Sequence, residues 1–197
     1  SSDPIFHSFA FLGIGSLAFP QLTFFIPVWF ISAYNFQSLN IRSFFAAIIG
    51  WSLPFWFLLG HAYYHNEMSL FYKPFHDMIT FQPVNYKEVP LTNVIVTGFM
   101  FLLYVVSSIN SFATSYQDKI RTRSYLRFFI LLNFFIFIFI LLQPSHFLCL
   151  LSLLLTGSSL LAGHLFALTN NRLSNLFFIF TSIAMVALYI LNTWMLL

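Results

Sequence analysis

Charge is the scarcest commodity in this chain. Only 7% of its 197 residues are Asp, Glu, Lys or Arg, too few to coat a water-facing surface, so the ordinary soluble globular classes are excluded. Cysteine is almost missing: Cys149 stands alone, which rules out an intrachain disulfide and any two-cysteine redox or zinc motif, and its place in an apolar run suggests a buried structural thiol. The glycines form no phosphate-cradling loop, and nucleophile elbows and haem-attachment motifs are missing too. Ionisable residues well inside the apolar runs, which would mark an ion or proton path, are also lacking. His164 comes nearest, and a hydrogen-bonded structural role is expected of it.

What is present is apolar. Hydrophobic residues make up 59% of the chain, 29 residues are Phe, and the mean hydropathy is +0.85. Phe in that number suits side chains facing lipid, where no polar coat is needed. The apolar residues fall into runs at 5–34, 44–63, 91–111, 124–142, 147–168 and 174–195, each long enough for a ~30 Å hydrocarbon core at ~1.5 Å per residue. The expected fold class is therefore all-α: a polytopic transmembrane helix bundle of about six spans, making residues 1–197 a single transmembrane domain. The four-residue turn at 143–146 should make the fourth and fifth runs a tight antiparallel hairpin, and a second short turn at 169–172 opens the last run.

Three features modify this plan. Pro20 and Pro27 interrupt the first run, so it should kink near residues 16–23, with Gln21 satisfying freed backbone groups; a broken helix of this kind can line a transport site. In the run 147–168, Ser152, Thr156, Ser159, Gly163 and Ala167 recur every three or four positions, a small-residue stripe that suits close helix packing in the bundle interior. Asn110 and Asn133 are expected to form interhelical hydrogen bonds. The one long loop, 64–90, contains an amphipathic segment at 74–81, with Phe75, Met78 and Ile79 on one face and His76, Asp77 and Thr80 on the other. It reads as a short interfacial helix with Pro74 at its first position, after which residues 82–91 run extended into the next span.

Orientation follows from the cations, since short Lys/Arg-rich loops stay on the cytoplasmic side. With six spans, Arg42, Lys119, Arg121, Arg123, Arg127 and Arg172 share one side and Lys73 and Lys87 the other. Asp118 is the lone acid on the cation-rich side. Both termini then face outward. The start Ser1-Ser2-Asp3-Pro4 has neither an initiator Met nor a basic signal region, so further spans are expected ahead of it.

Candidate functional residues fall on the two faces. On the outer face, His61 and His65 stand at i, i+4, the spacing of a helical metal pair, with Glu67, His76 and Asp77 nearby. One such pair falls short of the several histidine clusters that membrane di-iron chemistry needs, so no metal or cofactor is assigned. On the inner face, Lys119, Arg121, Arg123, Arg127 and Arg172 suit contact with anionic lipid or an acidic partner, while the basic stretch is too short for nucleic-acid binding.

The segments SLAFPQLTFFIPVWF, NIRSFFAAIIGWSLPFWF, SYQDKIRTRSYLRFF, QPSHF and HLFALTNNRLSNLFF together resemble a family of multi-pass inner-membrane proteins of Bacteroidota, a domain of unknown function whose members are longer at the N-terminus. The resemblance implies a bacterial inner-membrane location and supplies no catalytic residues. The label of β-carotene monooxygenase carried by some members implies histidine clusters that this sequence does not contain. Three functions follow from the residues: a non-enzymatic membrane subunit or scaffold, an outer-leaflet enzyme acting on a lipid-linked substrate, and a transporter component.

Overall fold

The computed structural model describes residues 3–80, 89–116, 118–168 and 172–194. Every regular element among them is helical: α1 Asp3–Ala18, α2 Ile26–Asn35, α3 Ile41–Tyr64, α4 Ser69–Ile79, α5 Leu91–Ala113, α6 Ile120–Leu142, α7 Phe147–Leu168 and α8 Arg172–Trp194, with 3-10 turns at Pro20–Phe25 and Pro144–His146. Four helical segments are long and apolar enough to cross a membrane: α3, α5, α6 and Pro144–Leu168, while the apolar part of α8, Ser174–Ile190, is shorter. Where the sequence reads as one domain, the chain divides into two compact units, Ser1–Gln82 and Pro83–Leu197. The division falls in the long loop; of the extended return expected at 82–91, residues 82–88 lie outside the described residues.

In the first unit the run 5–34 is a reversal rather than one kinked span. Pro20 cannot donate to the preceding turn, and the chain passes through a 3-10 helix before α2 begins. The rings of Phe9 and Phe30 then meet with centroids 4.9 Å apart, whereas a continuous helix would separate these residues by about 30 Å. Leu22 closes the turn against Gly15. Asn40 caps α3 by accepting from the Ser43 N–H at 2.8 Å, while the Ser43 hydroxyl accepts from the Asn40 N–H at 2.7 Å, a reciprocal capping box. α3 runs in the same direction as α1: Gly50 lies beside Phe6 and Ala10, and Gly13 beside Trp51 and Pro54, so close that a Cβ at either glycine would stand 2.5 Å from a backbone oxygen of the other helix. Asp3 therefore lies at the same end of the unit as Arg42, not at the opposite end as a single first span would require. Ile5, Phe9, Leu12, Ala33 and Ala47 form the core.

The amphipathic segment forms α4, but the helix begins at Ser69 and carries Pro74 inside it rather than at its first position. Phe75 packs on Phe55 and Phe71, with centroids 5.3 Å apart in each pair. Ile79, expected on the apolar face with Phe75 and Met78, is exposed. Gln21 Nε2 donates to the Asp77 carbonyl at 3.4 Å, so the buried glutamine ties the Pro20 turn to α4.

In the second unit α5, α6 and α7 pack against one another. The basic stretch is not a loop, since α6 starts at Ile120 and carries Arg121, Arg123 and Arg127 in its first turns. The expected hairpin between α6 and α7 is present, closed by the 3-10 turn Pro144–His146. α7 does not bury its small-residue stripe: Ser152, Thr156, Ser159, Gly163 and Ala167 are all exposed. Its buried face is Leu150, Leu154, Gly157, Leu161 and Leu165, with Ser158 and Ala162 beside it, because branched leucines fill an interhelical core that a row of hydroxyls would leave hollow. Cys149, expected to be buried, is exposed. At the centre of the core Asn133 is fully buried, its amide resting on Gly157, where a Cβ would collide with Asn133 Oδ1. Neither of its amide atoms makes the expected hydrogen bond within the protein; the contact is the kind made by a Cα–H against an oxygen. Tyr104 supplies the interhelical bond, its hydroxyl donating to the Ile130 carbonyl at 3.1 Å.

Gly157→Ala should destabilise the purified protein by about 1–3 kcal/mol through overpacking. Gly163→Ala, which meets nothing within 4 Å, should leave stability unchanged or slightly raised. Thermal unfolding of both variants in one detergent checks the contrast.

Candidate functional site at the basic end of the second unit

α5 ends at Ala113, and its last turn is closed by Thr114, whose hydroxyl donates to the Asn110 carbonyl at 2.8 Å. A short connection then leads to Lys119, the N-cap of α6, which provides no side-chain cap. This connection lies beside the last turns of α7, because the α6–α7 hairpin brings the end of α7 back to the start of α6. The consequence is a close, half-buried pair of ionisable groups: His164 Nε2 stands 3.1 Å from Asp118 Oδ1, with side-chain exposures of 16% and 8%. A carboxylate oxygen can only accept, so across this contact the Nε2–H is the donor.

The surroundings are polar and incompletely paired within the protein. Arg123 Nη2 donates to the Asp118 carbonyl at 3.4 Å. Asp118 Oδ2, Arg123 Nε and Asn110 Nδ2 are all buried without a protein partner. Three helices and their connection thus aim a carboxylate, an imidazole, a guanidinium and an amide toward one end of the bundle. Such a cluster can hold an imidazole in one orientation. Of the cations at this end, Arg123 alone is half-buried; Lys119, Arg121, Arg127 and Arg172 are exposed.

The candidates at the end of α3 and in α4 form no common metal site among the described residues. His61 and His65 approach each other, ring centroids 4.5 Å apart, and His76 Nδ1 lies 4.0 Å from Asp77 Oδ1. His61, His65, Glu67 and His76 are exposed, Asp77 half-buried, and no group of three or more metal-ligating side chains forms among the described residues. Near the Pro20 break, Ser16, Pro20, Thr23, Trp51, Phe55, Pro74, Phe75 and Met78 enclose a cavity of about 10 Å³, room for about one water molecule. It offers the buried Trp51 indole N–H no protein acceptor, and its lining is mainly aromatic and proline, a poor start for a transport path.

No family model, curated protein or solved structure matches this chain.

Asp118 is the residue that reading by segments overlooks. The usable signal was scarcity: Asp118 is the only acid among the described residues of the second unit, and His164 is one of two histidines there, the other, His146, lying at the far end of α7. Two scarce, opposite groups at the same end of a bundle have good reason to meet, since burying either alone is costly. A double-mutant cycle of Asp118→Ala and His164→Ala should give a coupling of about 1.5–3 kcal/mol, the range of a hydrogen bond to a charged group, read from unfolding of the purified protein.

Proposed function

We propose that this protein is a non-catalytic subunit of a membrane assembly, docking a transmembrane helix of another protein against α7. The observation that carries the reading is the exposed stripe Ser152, Thr156, Ser159, Gly163 and Ala167 on a helix whose opposite face is already filled by leucine. Its hydroxyls are satisfied locally: Ser152 donates to the Leu148 carbonyl at 3.1 Å, Thr156 to Ser152 at 3.0 Å and Ser159 to Thr156 at 2.9 Å. The face therefore presents small, hydrogen-bonded residues on which a second helix can close to short range without stranding a polar group. Gly163, with nothing within 4 Å of a Cβ, is the deepest point of that approach.

The same reading places the chain in a bacterial inner membrane, with the cations of α6 and Arg172 on the cytoplasmic side, as the positive-inside rule directs, and within the Bacteroidota family that its sequence resembles. The reversal at Pro20 bears on topology: α1 and α2 enter as a helical hairpin, which sets Asp3 on the side of Arg42. α4 then lies at the opposite surface with Tyr72, Lys73 and His76 toward the headgroups.

Extraction in a mild detergent from cells expressing the protein at native level should recover it in a stoichiometric complex. Ser159→Leu and Gly163→Leu should release the partner while helix content stays unchanged. Recovery of the wild-type chain as a stable lone monomer sinks the proposal.

A further inference from the structure

The basic end of the second unit has a one-signed surface. Lys119, Arg121, Arg127 and Arg172 are exposed there, with Tyr116 and Tyr125 among them. Asp118 is the only acid among the described residues of this unit, and its side chain is turned inward against His164. Were that carboxylate on the surface, it would stand next to Lys119 and cancel part of the field of a small patch. Arg123 is diverted inward to the Asp118 carbonyl, so the pair withdraws the acid together with one cation and leaves the remaining cations facing out unopposed.

We infer that this end of the unit is a docking surface for anionic lipid headgroups, and that the Asp118–His164 pair serves it by removing the one acid from that surface. The occupant follows from position. α6 is long and apolar enough to cross a membrane, so Lys119 and Arg121 at its start fall at headgroup level, where tyrosines also settle. Phosphate-bearing headgroups of net negative charge are the complementary chemistry present at that depth in every copy of the membrane. A cation close to an anionic surface contributes about fivefold in association, the equivalent of about 1 kcal/mol. The attraction fades beyond a Debye length of about 10 Å at 0.1 M salt.

The test uses the whole chain reconstituted in phosphatidylcholine vesicles with spin-labelled phosphatidylglycerol or phosphatidylcholine as probe. The motionally restricted fraction measures relative association. The wild type should prefer phosphatidylglycerol, and the preference should weaken as salt is raised. Arg121→Gln should lower it by up to about fivefold, Lys119→Gln and Arg127→Gln similarly, and Arg123→Gln much less. Asp118→Asn, which keeps the side chain's size and can still accept from His164, should leave the preference unchanged because the acid is already masked. No preference in the wild type, or a preference that survives the combined Lys119→Gln, Arg121→Gln and Arg127→Gln variant with helix content intact, overturns the docking surface. A clear gain in preference with Asp118→Asn overturns the masking role. Association of these cations with an acidic protein while lipid preference is nil also counts against the inference.

Discussion

A backbone amide that reaches hydrocarbon must bring its own acceptor, and most of this structure follows from that requirement. A chain with so few charged residues cannot offer solvent contact as an alternative, so the described residues are committed to helices and to turns in which side chains or 3-10 bonds stand in for the missing ladder. The interruptions are chemically marked. Pro20 and Pro144 open 3-10 turns, and the Asn40–Ser43 capping box closes the turn before α3. Pro54 sits buried within α3 against Gly13 and does not end the helix.

The two units solve the packing problem differently. The first brings backbones together at Gly13 and Gly50, so that α1 and α3 touch through main chain, and fills the remaining space with rings from Phe9, Phe30 and Phe44. The second keeps its helices apart with leucine and isoleucine and makes one close approach, at Gly157. Its buried polar side chains include Ser107, Ser108, Asn133 and Ser158 within the helices, and Asp118, His164, Arg123 and Asn110 add a polar group at the basic end. That division matters for function because the second unit alone carries both a field of one sign and an unfilled small-residue face.

Much of the fold was legible in the residues. Runs of apolar residues located α3, α5, α6, α7 and α8, and the hairpin at 143–146 followed from its length and proline. What failed failed for identifiable physical reasons. The run 5–34 has the length of one span, and hydropathy cannot distinguish a kink from a reversal; the outcome rests on Phe9 meeting Phe30, a contact between residues far apart in sequence. The small-residue stripe of α7 was assigned inward because periodicity identifies a face without saying which way it points, and the leucine stripe on the other side of the same helix won the core. The Asp118–His164 pair joins a connection to a helix end, and only the charge census of that side hinted at it. The outer-face histidines had suggestive spacing and no third partner to converge on.

Asn133 and Gly157 also make a statement about how such a protein can change over time. The amide occupies the volume that any larger residue at 157 would claim, so the two positions, on different helices, behave as a single inherited character. Substitution at 157 becomes tolerable only in a background where 133 has already become smaller, while a smaller residue at 133 leaves a hollow that favours growth at 157. Drift at this level of the bundle should therefore be ordered, with position 133 leading and position 157 following.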